Sequence, residues 1–245
     1  AINYFKELKV KYGKGRERKT EIKTFENIVA SKVVVANKKL YVNREEGFIG
    51  TSLRRDEYIS DCSDIDDIIA FKKDGTFMVS KVGTKVSMGK DIIHCAVFKK
   101  KDKRTVYNMI YKDGAKSVNY IKRFFVTGVT RNKDYSLCKT SKGNKVLYFT
   151  ANPNGEAEVV TVYLRALQKL KKLRFDADFS EISIKGRGSG GNILSKNPIR
   201  KIDLKSAGVS TLSARKIWFD TTIQRLNVED RGDLLGEFQA EDRLL

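Results

Sequence analysis

The 245-residue sequence predicts an all-β fold, a propeller-like array of about five four-stranded blades preceded by a short N-terminal helix. Three observations predict it. Short runs rich in Val, Ile, Phe and Tyr fill the chain from Val29 onward: VVVA, KLYV, GFIG, DIIAF and TFMVSKV. Turn signals recur, with EEG ending at Gly47, KDG at Gly75, KDG at Gly114, NPNG at Gly155 and KNP around Asn197, spaced 28, 39, 41 and 42 residues apart. A second register agrees: GKDIIHC at 89–95 and NKDYSLC at 132–138 share Lys-Asp and then Cys at the same offset, 43 residues apart. Self-similarity at this period marks radial arrays, in which one unit of about four strands cannot bury its own face alone.

The elements follow in order. Ile2, Phe5, Leu8 and Tyr12 have helical spacing and end at Gly13-Lys14-Gly15, before the basic stretch RERK at 16–19. Residues 1–25 read as a helical tail and tether from something upstream, and 26–245 as the β domain. The five turns are expected to close hairpins within the blades. YLRALQKLKKLRF at 163–175 places leucines three residues apart, but VVTVY precedes it and no capping residue opens it, so strand and basic loop are expected. EFQAEDRLL at 237–245 resembles the approach to the second unit, CSDIDDIIAF at 62–71, so the array is expected to be truncated at, or to continue beyond, Leu245.

Composition narrows the function. Lys and Arg number 49 against 30 Asp and Glu, a formal charge of +19, and so basic a surface seeks a polyanion. Residues 176–245 hold 11 of each sign, so the whole excess lies in the first 175 residues (38 basic, 19 acidic). No run reaches the roughly 20 apolar residues of a membrane span, and the N-terminus lacks the pattern of a secretory signal; a cytoplasmic location is expected. Cys62, Cys95 and Cys138 form no CxxC pair, and His94 is the single histidine, so neither a disulfide framework nor a metal site is expected.

KGRGSGG at 185–191 matches G-x-G-x-x-G through Gly186, Gly188 and Gly191, but NILSKNPIRKI follows where a dinucleotide site needs a helix, and no HRD or DFG exists downstream. What remains is either a cationic glycine loop able to approach phosphates or a plain inter-blade linker. Asp64, Asp66 and Asp67 read as solvated or capping. No GxSxG, HExxH or Walker loop asks for an enzyme.

Basic residues recur in each unit, and these are the candidate DNA contacts: Lys38, Lys39, Arg54, Arg55, Lys81, Lys85, Lys122, Arg123, Arg131, Lys133, Lys171, Lys172, Lys185, Arg187, Arg200 and Lys201. Spread over a radial array they would form a band that a duplex follows only by curving, at an elastic cost on the order of 1–6 kcal/mol repaid by phosphate contacts. The rival from another class is a propeller-type protein interaction scaffold with an incidental basic rim, which would show a contiguous apolar patch instead.

KYGKGRERKTEI at 11–22, KLYVNREEGFIG at 39–50, DDIIAFKKDGTFMVSKV at 66–82, YIKRFFVTGV at 120–129 and KGRGSGGNILSKNPIRKIDL at 185–204 together resemble the passage from the cleavage core into the C-terminal β-pinwheel of bacterial type II DNA topoisomerase A subunits. The resemblance implies non-sequence-specific binding and bending of duplex DNA by an accessory domain of an ATP-dependent topoisomerase, an isomerase that decatenates chromosomes and controls DNA topology. It implies no catalytic residue, metal or cofactor in this segment, with ATP and magnesium used elsewhere in the holoenzyme. The implied partners are duplex DNA, the ATPase B subunit, and the rest of the polypeptide to which such a domain belongs. The implied location is the nucleoid, and the isolated domain is expected to be monomeric. Gyrase A subunits carry a Gln-Arg-Arg-Gly-Gly-Lys-Gly box in the first blade; the interval TSLRRDEYISDCS at 51–63 lacks it. The resemblance is therefore nearer to topoisomerase IV than to gyrase, which argues against active negative supercoiling.

Overall fold

The computed structural model describes residues 2–15, 37–140, 143–168, 170–221, 224–228, 232–239 and 242. The chain divides into two units, 1–35 and 36–245. In the first, helix α1 (Ile2–Tyr12) forms as its spacing predicts and buries none of its residues. Gly13 ends it, its N–H donating to the Lys9 carbonyl at 2.9 Å. The RERK tether and the VVVA run lie outside the described residues.

The second unit is built of five small antiparallel-dominated sheets. Strands β1 (Lys38–Asn43), β2 (Phe48–Gly50) and β3 (Glu57–Cys62) begin the first, with β3 on the outer side of β1. The chain then starts the second sheet with the hairpin β4 (Asp67–Lys72) and β5 (Thr76–Lys81), but its next strand, β6 (Val86–Ser87), goes back to pair with β2. Strand β7 (Ile92–Phe98) flanks β4. The hairpin β8 (Val106–Lys112) and β9 (Asn119–Phe125) opens the third sheet, and β10 (Asp134–Ser136) returns to pair with β5. Strand β11 (Lys145–Asn152) flanks β8. The fourth sheet starts with β12 (Glu156–Leu164) and β13 (Arg174–Asp178); a short 3-10 turn at Phe179–Glu181 then leads to β14 (Ile184–Gly186) and β15 (Asn192–Ser195), which both return to β9. Strand β16 (Ile199–Ser210) flanks β12, and β17 (Arg215–Asp220), β18 (Arg225–Asn227) and β19 (Asp233–Phe238) form the fifth sheet.

The first three sheets therefore follow one rule: a hairpin, a third strand flanking its first member, and an edge supplied by chain that has already visited the next sheet. Five units are present as expected, but the fourth and fifth sheets have three strands each among the described residues. Two of the five turns are also corrected. NPNG joins β11 of the third sheet to β12 of the fourth, and KNP joins β15 to β16; both connect sheets rather than close hairpins. KDG at Gly75 does close the β4–β5 hairpin. Gly75 has φ +80, and a Cβ there would sit 2.4 Å from Cys138 Sγ, so only glycine fits the turn.

Consecutive sheets share cores, which explains strands buried on both faces. In β4, Ile68 and Ala70 face the first sheet with Leu40, Val42 and Ile49, while Ile69 and Phe71 face the third with Tyr107, Met109 and Phe124. The Phe71 ring meets Phe77, Tyr107 and Phe149 at centroid separations of 5.4, 4.6 and 4.8 Å, contacts worth roughly 0.5–1.5 kcal/mol per pair beyond area burial. On the other side of the third sheet, Ile110 and Ile121 pack on Val160, Val162 and Phe179. The stretch at 163–175 is strand to Leu164 and strand again from Arg174, with no helix among its described residues, as expected.

Candidate nucleic-acid interface

Thirteen of the sixteen candidate cations are exposed, and Arg187 is half-buried. Lys122 and Arg123 are the corrections: both are buried, at 1% and 2% exposure, and cannot contact phosphate. The reason is their strand. β9 lies between two cores, so Lys122 shares a face with Tyr120 and Phe124, and Arg123 shares the other with Ile121.

Each buried cation has a structural partner set. Arg123 Nε donates to Asn108 Oδ1 at 3.0 Å and its guanidinium donates to the carbonyl of Gly155 and the hydroxyl of Thr211 at 2.8 and 3.0 Å. Asn108 in turn donates to Glu158 Oε2 at 2.7 Å, which ties the third sheet to the fourth through a buried polar chain. Burial lowers the pKa of Arg123, and Glu158 opposes the shift. Lys122 Nζ donates to the carbonyls of Leu137 at 2.8 Å, Arg187 at 3.0 Å and Ser189 at 2.5 Å. Burial pulls its pKa down to about 8.

Three groups of surface cations are brought together. Lys38, Lys39 and Arg54 line one recess with Asn37, Tyr41 and Thr51; Lys38 pairs with Asp64 at 2.7 Å, and Lys39 lies over the Tyr58 ring at 6.0 Å. Nearby in the first sheet, Lys85 stands 4.1 Å above Phe48. Lys172 lines a second recess in the fourth sheet with Arg174 and Lys205, two cations outside the sequence-predicted set.

The third group is assembled from segments far apart in sequence. Strand β10 carries Tyr135 to the edge of the second sheet, stacked on Phe77 at 5.4 Å. Lys133 lies 5.6 Å from the Tyr135 centroid, and Arg187, arriving on the glycine loop between β14 and β15, lies 4.2 Å from it. Thr130 hydrogen bonds to the Tyr135 phenol, donating its N–H at 2.9 Å, and this lowers the tyrosine pKa. Arg131, in the same approach to β10, donates to Asp67 Oδ1 at 2.7 Å, and Lys100 reaches the other Asp67 oxygen at 3.5 Å. Asp67 is 5% exposed, so the carboxylate read as solvated is an internal anchor for two surface cations; Asp66 does cap, accepting the Ser63 N–H at 2.8 Å. Lys99, Lys101 and Lys103, in the same run as Lys100, are exposed as it is. Their run, KKKDK, is plain in the sequence but lies between the candidate pairs at 81 and 85 and at 122 and 123, outside the predicted set.

Of the remaining candidates, Arg55, Lys81, Lys171, Lys185 and Arg200 are exposed and Lys201 pairs with Asp203 at 2.9 Å. The glycine loop opens no helix: it is the tip between two strands laid on β9. Gly191 has φ +78, and a Cβ there would lie 2.5 Å from the Ile121 carbonyl oxygen, so glycine is required for the loop to close on β9. Exposed ammonium and guanidinium groups resting on aromatic rings can hold anions and stack on planar groups. Among the described residues no three His, Cys, Asp or Glu side chains converge as metal ligands, and no helix is long and apolar enough to cross a membrane.

Comparison with known proteins gives three findings. A family model described as "Topoisomerase C-terminal domain, Bacteroidota" matches residues 39–207. The chain is similar to the A subunit of DNA topoisomerase 4 from Borreliella burgdorferi, 25% identical over 206 residues that cover 84% of this chain and 31% of that protein, so it spans under a third of the relative's length. A solved crystal structure of the C-terminal domain of DNA topoisomerase IV aligns with a TM-score of 0.49 and 11% identity, covering 84% of this chain and 89% of that one.

Proposed function

The chain belongs to the family of topoisomerase C-terminal domains of Bacteroidota, and from that premise we propose that it binds and bends duplex DNA, without sequence preference, for an ATP-dependent type II topoisomerase. The observation that carries the reading is the convergence of Lys133 and Arg187 on Tyr135, with Arg131 in the same approach. Cations delivered by two different returning segments, Lys133 exposed and Arg187 half-buried, form one surface patch, which local sequence alone would not assemble. Similar patches in the first and fourth sheets give a duplex several phosphate contacts, and curvature lets it reach more than one of them. In this reading strand cleavage, magnesium and ATP hydrolysis belong to the cleavage core and to the B subunit, while the domain presents a DNA segment to them in the cytoplasm, on the nucleoid.

The test is binding to unrelated duplexes over a range of salt, followed by ligation of nicked circular DNA in the presence of the protein. We expect affinity that falls with salt at a log-log slope of about −0.9 per neutralised phosphate and little sequence preference. Retarded circles with no change in linking number are expected for the topoisomerase IV-like role; a dose-dependent shift would mean chiral wrapping, as in gyrase. No binding at low salt would sink the proposal.

A further inference from the structure

Lys122 is a buried ammonium whose three N–H donors each meet a main-chain carbonyl, with no carboxylate among those partners. Three carbonyl dipoles converging on one point are satisfied by a cation and by no apolar side chain of the same size. Two of the carbonyls belong to Arg187 and Ser189 in the glycine loop; the third, of Leu137, follows β10. The same loop is held by the Tyr111 hydroxyl, which donates to the Gly190 carbonyl at 2.6 Å. The residue whose carbonyl Lys122 grips is the one whose guanidinium rests on Tyr135.

We propose that Lys122 is a positioning residue for DNA binding: its internal ammonium fixes the 187–191 loop so that Arg187 is presented on Tyr135 beside Lys133. The inference rests on the DNA-binding reading above. It gives an interior charge, which touches no phosphate, a measurable part in phosphate binding.

The test uses the whole chain with Lys122→Met, Arg187→Ala and the double variant. Amide hydrogen exchange in 186–191 reads the clamp without DNA, and the salt dependence of duplex binding reads its consequence. Lys122→Met is expected to speed exchange in the loop while Ile110 and Ile121 stay protected, and to reduce the log-log slope by about 0.9, the worth of one phosphate. The double variant is expected to bind no more weakly than the weaker single one. Lys122→Ala should recover slope with added ethylammonium and not with sodium at equal ionic strength, a rescue that mere loss of packing would not show. Should Lys122→Met fail to fold, Tyr111→Phe loosens the same loop through Gly190 and is expected to lower the slope in the same direction. Wild-type binding with an unchanged slope in these variants would overturn this inference alone. Absence of DNA binding by the wild-type chain would overturn it together with the reading it rests on.

Discussion

His94 gives a quantitative test of how the second and third sheets are joined. Its ring lies in β7 among Phe71, Tyr107 and Phe149, at centroid separations of 6.0, 6.2 and 5.7 Å. Burial, helped by the nearby positive charge of Arg44, lowers its pKa from 6.5 to about 4. A group with a depressed pKa in the fold leaves stability intact above the unfolded value, and stability is lost as pH falls from 6.5 towards 4, because only the unfolded chain takes up the proton. The full loss is the difference between 6.5 and about 4 multiplied by about 1.36 kcal/mol per unit, on the order of 3 kcal/mol, of which about 2 kcal/mol is lost by pH 5. The assay is urea unfolding of the wild type and of His94→Phe at pH 7 and pH 5. Phenylalanine keeps an aromatic ring among its three neighbours and cannot titrate, so the carboxylates common to both proteins cancel in the difference. The wild type should lose about 2 kcal/mol more than the variant over this interval. Parallel losses would show that the ring is hydrated in the folded state and that the seam is not closed as described.

Other perturbations address the polar interior. Arg123→Met leaves Asn108, Glu158 and the Gly155 carbonyl without their cation and is expected to cost about 3–5 kcal/mol in denaturant unfolding, whereas Arg200→Met on the surface should change little. Gly191→Ala forces a Cβ against the Ile121 carbonyl oxygen at positive φ and should cost about 1–3 kcal/mol and weaken DNA binding, read by thermal melts and salt titrations. Lys122 has a pKa lowered from 10.5 to about 8, so between those values the unfolded chain holds more protons and this group adds stability as pH rises. The clamp on the glycine loop loses charge over the same window, so loop exchange should speed up, after correction for intrinsic rates, while global stability gains. The neighbouring Cys138, pushed up to about 12, and Tyr111, pushed higher still, stay neutral there.

The repeat was legible in the sequence because its signals are local. KDG at Gly75 must turn with positive φ, and runs such as DIIAF and TFMVSKV leave no alternative to strands. The same locality explains the errors. A turn signal at NPNG says that the chain reverses but not whether the flanking strands pair, and here they belong to different sheets. Returning strands of two and three residues, Val86–Ser87 and Asp134–Ser136, are too short to carry a pattern, so the way the first two sheets borrow their edges was invisible. Lys122 and Arg123 were misread because a strand buried on both faces shows no polar side, and a cation satisfied by distant carbonyls has the same spelling as a solvated one. The patch around Tyr135 was half legible: Lys133 and Arg187 each stand in a basic pair plain in the sequence, but their meeting depends on strands that return to partners about sixty residues or more back along the chain.

The borrowed edges also order events in time. Strand β2 ends at Gly50, yet the strand that covers it ends at Ser87; β5 ends at Lys81, and its cover ends at Ser136. During synthesis from the N-terminus, each of the first three sheets must wait with an unpaired margin until the hairpin of its successor has emerged. Unpaired margins invite pairing with other chains, so the interval of greatest aggregation risk moves along the nascent chain one sheet at a time. A stop codon between two sheets would not simply shorten the array: it would also leave the last finished hairpin with its margin uncovered, and such truncations should lose more stability than the residues they delete contribute on their own.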